Sequence, residues 1–355
     1  MSKRLFALIL CVVMIGAVFA ACTPAQPAQP AQPAQPAQPG TDAAPPAAAA
    51  EVNFPTRPIE AIHQMGPGGG FDLFVRAIGQ EAGNILGTTV VPIAAQGGAG
   101  LVALERVMSA PADGHTIYVV GPEQVAMHVW GQLDLFAEFT PLIRAQHDVA
   151  FLSVLTSDTR FDSIEDVFEA MRANPGAVTV GITNAASYDD ILLNLWKSVS
   201  DLEFSIIPYP SGSEAMAALM GGHIDVLFEE VGIKRGFLES GDFQPVMAFL
   251  DRRVEEHEIV AHVPHIFEFG WEGENLDLGR WRGMMVRYGT PQEYIEILYD
   301  ALSRAMDSPL YLEHESDGLL DIRPGLLNPD EFRAFLEAEV EVYREIIYSV
   351  GMFPS

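Results

Sequence analysis

Apolar residues in this chain gather into short runs, and between the runs hydrophobic and polar positions repeat with helical spacing, from about residue 54 to the C-terminus. Runs rich in Val, Ile and Phe predict strands at 59–64, 89–93, 116–120, 151–155, 178–182, 203–207, 224–228, 245–249 and 284–286. The helical stretches carry readable ends. Asp162 or Ser163 caps a helix that stops at Asn174-Pro175-Gly176, and Ser211 with Glu214 makes a capping box whose helix ends at Gly221-Gly222. Thr290-Pro291-Gln292-Glu293 and Asn328-Pro329-Asp330-Glu331 open two C-terminal helices. In the last of these, Phe332, Phe335, Leu336, Val340, Tyr343, Ile346 and Ile347 form one apolar stripe, which is core packing. Alternation of this kind predicts an α/β fold with largely parallel sheets and ligands near the strand C-termini.

One stretch stands out against that pattern. At 60–78 an apolar run passes through Met65, Gly66, Pro67, Gly68, Gly69 and Gly70 into a helix that opens at Phe71 and Asp72. Glycine admits positive φ and puts no side chain between backbone and ligand, so the turn can aim several N–H groups at one small anion. A weaker copy lies at 179–195, where Asn184, Ala185, Ala186 and Ser187 lead from a strand into a helix. Two such turns facing each other would clamp a carboxylate by main-chain donors and helix ends, with no charged side chain required. Asp72 reads either as a first-turn residue paired with Arg76 or as a ligand contact.

The first 50 residues belong to another regime. Lys3 and Arg4, an apolar stretch over 5–19 and the small pair Ala20-Ala21 before Cys22 have the three regions of a secretory signal, at 1–21. The apolar part is short for a membrane span of about 20 residues. Phe19-Ala20-Ala21-Cys22 resembles a bacterial lipobox, with Phe19 where leucine is usual, so Cys22 is the expected lipid-attachment site. From 22 to 50 the chain repeats Ala-Gln-Pro with no large apolar residue, which makes a semi-extended tether. Cys11 lies inside the signal, so the mature chain holds no disulfide within itself and must stand on its core. The remaining length is enough for two lobes.

Charge excludes some partners. With 20 basic residues against 48 acidic the net charge is −28, and cleavage of the signal would remove two more cations. Nucleic acid needs clustered Lys and Arg and is not expected as a partner. A small anionic ligand remains compatible, because local donors govern within a Debye length of about 8 Å.

Enzyme signatures are absent from the sequence. Gly66-Pro67-Gly68-Gly69-Gly70-Phe71 lacks the third glycine of a dinucleotide fingerprint, no Gly-Lys-Ser/Thr follows a glycine loop, and Ser211-Gly212-Ser213 is not a nucleophile elbow. Pro264 between His262 and His265 spoils helical metal-ligand spacing. No cofactor or metal is expected.

Several motifs together resemble the periplasmic receptors of tripartite tricarboxylate transporters, also called Bug receptors. They are the glycine-turn stretch at 54–78, Gln96-Gly97-Gly98-Ala99-Gly100, Ala110-Pro111-Ala112-Asp113-Gly114-His115, the 209–225 segment from Tyr209-Pro210-Ser211-Gly212 to Gly221-Gly222-His223-Ile224-Asp225, and Tyr288-Gly289-Thr290-Pro291. They run in the family's order from about residue 54 to about 351. The resemblance implies a type II periplasmic-binding-protein fold, in which two α/β lobes close about a hinge on a small carboxylate. It places lobe one at 51–148 plus 262–355 and lobe two at 149–261. It implies a pocket built from Met65 to Asp72 on one side and from Asn184, Ala185, Ala186, Ser187 and Asp190 on the other, with Tyr209 as a wall. The expected partners are a small carboxylate, the integral membrane subunits of a transporter and, through the lipid anchor, the outer face of the membrane; the receptor itself is expected to be a monomer.

This chain departs from the family where the ligand would be read. Tyr188, Asp189 and Asp190 replace Ser/Thr residues and a histidine, and Glu229-Glu230 stands where Asp and Asn are usual. Asp190 and Glu229 at the pocket edge would repel a second ligand carboxylate, which predicts a solute with one carboxylate and a hydroxyl, amine or metal-associated far end. The alternative is that Asp189 and Asp190 cap their own helix. Two further functions stay open: a sensor for a membrane signalling protein, and an exported enzyme using Asp190 and Glu229 as its acid and base.

Overall fold

The structure is a computed structural model that describes residues 52–353. The signal, Cys22 and the 22–50 tether lie outside the described residues. Ten strands are present: β1 (Ile59–His63), β2 (Val90–Ala94), β3 (Thr116–Val120), β4 (Phe139–Asp148), β5 (Ala150–Leu155), β6 (Thr179–Thr183), β7 (Ser205–Tyr209), β8 (Val226–Glu230), β9 (Phe243–Ala248) and β10 (Arg280–Arg287). They form two five-stranded sheets, in the orders β2-β1-β3-β10-β4 and β7-β6-β8-β5-β9.

The two sheets follow one plan. Three strands run parallel in each, β2-β1-β3 and β7-β6-β8, and the fourth position is taken by an antiparallel strand that arrives from the other sheet. The chain leaves the first sheet at Asp148, crosses at Val149 and enters the second as β5; it returns after β9 and inserts β10 between β3 and β4. Register then brings the crossing points together, because Arg280 pairs with Asp148 and Ala150 with Glu230. Three charged residues, Arg280, Asp148 and Glu230, therefore meet where the sheets join, by topology alone.

Eight of the nine predicted strands lie within two residues of those observed. The prediction at 284–286 is the end of the longer β10, and β4 was not predicted at all. In β4, Pro141, Arg144, Gln146 and Asp148 break the apolar pattern although all but Thr140 and His147 are buried. The parallel expectation holds for strand direction, with four strands of each sheet running one way. The hydrogen-bonded pairs, however, divide evenly between parallel and antiparallel, because each crossing strand sits inside its new sheet.

Caps appear where the sequence signals them. Ser163 accepts from Asp166 N–H, Ser211 from Glu214 N–H, and Asn328 from the N–H groups of Asp330 and Glu331 with Pro329 at the first helical position. The final helix, Pro329–Val350, buries Phe332, Leu336, Val340, Tyr343, Ile346 and Ile347, each worth about 1.5–3 kcal/mol relative to exposure. Phe335 is half-buried beneath the Arg144 guanidinium. This helix packs on β4 of the first sheet and on the helix Tyr188–Val199 that follows β6 of the second, so its stripe serves both.

Candidate functional site

After β1 the chain turns so that Gly69 N–H donates to Gly66 O, with Gly68 at φ 75°. The helix Gly70–Leu86 follows, and its first internal acceptor, Gly69 O, is taken by Leu73 N–H. The N–H groups of Gly70, Phe71 and Asp72 are thereby left at a positive helix end. Asp72 closes the turn from below: its Oδ2 accepts from Gly68 N–H at 3.0 Å and from Arg76 Nε at 2.9 Å. Burial opposes its charge, but hydrogen bonds from Arg76 and Gly68 outweigh that and hold its pKa below the ordinary value. Asp72 is thus engaged by its own turn and by Arg76.

The second turn is built on left-handed residues, Asn184 at φ 60° and Ala186 at φ 57°. Ser187 caps the helix Tyr188–Val199 and donates to Asn184 O at 2.9 Å. Asp190, expected at the pocket edge, is turned back instead: it accepts from Ala186 N–H and from Asn194 Nδ2, both at 2.8 Å. One residue earlier, about 100° around the helix, Asp189 points inward. It accepts from Thr183 N–H and pairs with Arg280.

Arg280 and Arg282, alternate residues of β10, face the junction of the sheets, while Trp281 between them enters the core. Arg280 pairs with Asp189, Glu229 and Glu230. Arg282 donates to Asp148 Oδ2 at 2.5 Å and to Glu230 Oε1 at 2.7 Å. Glu229 also accepts from Thr183 Oγ1 at 2.7 Å. Each of the charged residues of this group is more than nine-tenths buried. Burial raises the pKa of Asp189 and Asp148 despite the neighbouring guanidinium groups; Glu230, between both arginines, is driven down against its own burial. Lys234, wholly buried, donates to the carbonyls of Phe151 and Glu229, and desolvation lowers its pKa to about 7.

Two cavities meet at Met65 and Glu123, the smaller of them over this floor. The smaller, about 30 Å³, is lined by Met65, Gly69, Gly70 and Phe71 from the first turn, by Thr183, Asp189, Ser211, Gly212, Glu229 and Glu230 from the second sheet, and by both arginines and Glu123. That is room for a water or two. The wider chamber, about 470 Å³, is lined by Asn184, Ala185, Ala186, Ser187, Met65, Gln64, Gln96, Glu123, Pro210 and the Gly97-Gly98-Ala99-Gly100 turn. Asn184 Nδ2 approaches Met65 Sδ at 2.9 Å, which ties the two turns together.

Met65, Gly69, Gly70, Phe71, Asn184, Ala185, Ala186, Ser187 and Glu229 thus converge on these cavities. Pro67 and Gly68 are exposed, Gly66 packs against Gln96, and Tyr209 packs with the apolar cluster behind β7 while its carbonyl holds Asn184 N–H. Sequence reading expected no cation in the grip; Arg280 and Arg282 stand in the small cavity, and among the described residues no Lys or Arg lines the wide one. It also missed Glu123, Asp148, Gln64 and Gln96. Two arginines at strand spacing around a tryptophan, in a chain poor in bases, were the available signal.

A family model described as tripartite tricarboxylate transporter family receptor matches residues 74–352. The "UPF0065 protein in gbd 5'region" of Cupriavidus necator is 26% identical over 317 residues, covering 87% of this chain and 92% of that protein. Protein BugT of Bordetella pertussis is 23% identical over 303 residues, 84% of this chain and 90% of its own. The solved structure of R. palustris Rpa4515 with adipate aligns with a TM-score of 0.77 at 22% identity, covering 85% of this chain and all of the other.

Proposed function

This chain belongs to the tripartite tricarboxylate transporter receptor family, and from that premise we propose that it is an exported receptor that captures a small organic carboxylate and delivers it to a membrane transporter. The observation that carries this reading is the convergence of two helix-opening turns, one from each sheet, on two adjoining cavities, the first turn at the smaller and the second at the wider, with Met65 and Glu123 lining both. A relative with this fold was solved with adipate. The two sheets are the two lobes, divided near residues 148 and 262, and β4–β5 with β9–β10 are the hinge. The cavity at the floor is too small for a dicarboxylate, so the solute enters when the lobes part and its contacts with both turns favour closure. Signal cleavage and lipidation at Cys22 would keep the receptor on the outer face of the membrane. The role is binding and release, without turnover.

Thermal shift of the purified receptor against mono-, di- and tricarboxylates and amino acids tests the reading. A saturable rise in unfolding midpoint with at least one acid is expected, unaccompanied by product formation. A panel without any shift, or conversion of an acid, would overturn it.

A further inference from the structure

Glu123 is 6% exposed, and its Oε2 has no hydrogen-bond partner among the described residues. It opens the helix Pro122–Val129 after β3 and lines both cavities, so its carboxyl stands where the two meet. Gly121 makes that position possible, since a Cβ there would lie 2.8 Å from Oε2 and 2.8 Å from the Phe71 ring. Of the described residues around the wide chamber Glu123 alone is charged; its polar neighbours are the amides of Gln64, Gln96 and Asn184 and the hydroxyl of Ser187. The floor beyond adds no spare cation. Its two arginines are engaged by Asp148, Asp189, Glu229 and Glu230, and Lys234 faces carbonyls.

A buried carboxyl with an open acceptor costs free energy unless a donor arrives. A solute carboxylate cannot be that donor, and beside Glu123 it would meet like charge. We propose that the captured solute bears a protonated nitrogen, an ammonium group, that docks on Glu123, while its carboxylate takes main-chain donors of the facing turns. The N–H groups of Gly98, Ala99 and Ala185, which have no partner among the described residues, border the same chamber. The solute is then a small amino carboxylate, and Glu123 sets that specificity. Burial raises the pKa of Glu123 in the free protein, with Arg280 and Arg282 opposing, and a docked ammonium group would lower it again.

This inference rests on the receptor reading above, and one titration series separates their failures. Calorimetry on the purified receptor would use matched sets of three to six carbons: the ω-amino and α-amino carboxylates, the plain monocarboxylate and the dicarboxylate. At least one amino carboxylate is expected to bind tenfold or more tighter than both of its counterparts, and Glu123→Gln is expected to erase that advantage. The unfolding midpoint of free Glu123→Gln, read alongside, should equal or exceed that of the wild type. Plain or dicarboxylates binding as well as the amino acid, or Glu123→Gln keeping the preference, would overturn the proposal and leave the receptor reading intact. If no carboxylate binds at all, both fall.

Discussion

Arg282 Nη2 donates to Glu230 Oε1 at 2.7 Å directly against the backbone of Gly70, where an added Cβ would collide with both atoms. The glycine is therefore required by the ion pair behind it, and the pair can come from two different sheets only because the backbone between them carries no side chain. At Gly69 the nearest atom to an added Cβ is Gly66 O, at 3.2 Å. Gly70→Ala is expected to cost about 1–3 kcal/mol by overpacking, and Gly69→Ala under about 1 kcal/mol. Urea unfolding of both variants checks this; equal costs would show that the ion pair yields freely.

Arg280 faces three buried carboxylates, so removing it leaves charge without a partner. Arg280→Met is expected to cost about 3–5 kcal/mol at pH 7. The loss should shrink as pH falls, because Asp189, whose pKa burial already raises, can then take a proton in the folded variant and shed part of the penalty. Denaturation series at pH 5 and pH 7 read the difference. A variant as stable as the wild type at pH 7 would show that Arg280 is not needed to balance the junction.

The contrast between β10 and the glycine turn explains what the sequence disclosed. Turns are local: Gly68, Ser187, Ser211 and Asn328 act on residues within four positions, and their spacing is visible in one window. The junction cluster is not local. Asp148 and Arg282 are 134 residues apart, Asp189 and Arg280 are 91 apart, and each looks like a surface charge until strand register brings them together. Strand β4 was hidden for the same reason, since Arg144, Gln146 and Asp148 face buried partners that sequence periodicity counts as solvent. Helix capping could not decide between Asp189 and Asp190, because both occupy the first turn.

Lys234 gives a pH dependence of definite sign. Burial lowers its folded pKa to about 7 from 10.5, so between those values the unfolded chain holds a proton that the folded chain does not. Stability from this group therefore rises as pH climbs from about 7 towards 10.5, with each pKa unit of depression worth about 1.4 kcal/mol. Lys234→Met lacks that term. Comparing unfolding free energies of the two proteins at pH 7 and pH 9.5 should show the wild type gaining on the variant; parallel curves would place the ammonium group in contact with water.

Neighbouring acids in the helix Tyr188–Val199 should respond in opposite ways to loss of charge. Asp190 stabilises its own turn through Ala186 N–H and Asn194, and Asp190→Ala should cost about 1 kcal/mol, as loss of a cap does. Asp189 is held among Arg280 and Glu229, and burial raises its folded pKa from 3.8 to about 7, with Arg280 working against the rise and Glu229 adding to it. The folded state binds this proton more tightly, so the contribution is present in full below about pH 4 and is lost as pH rises towards 7. Asp189→Asn keeps the shape and removes the titration. Its stability should fall less steeply than that of the wild type between pH 4 and pH 7, and at pH 8 it should match or exceed the wild type because Arg280 retains Glu229 and Glu230. A variant that loses several kcal/mol at pH 8 would instead make Asp189 the indispensable anion of the junction, with Glu229 and Glu230 unable to replace it.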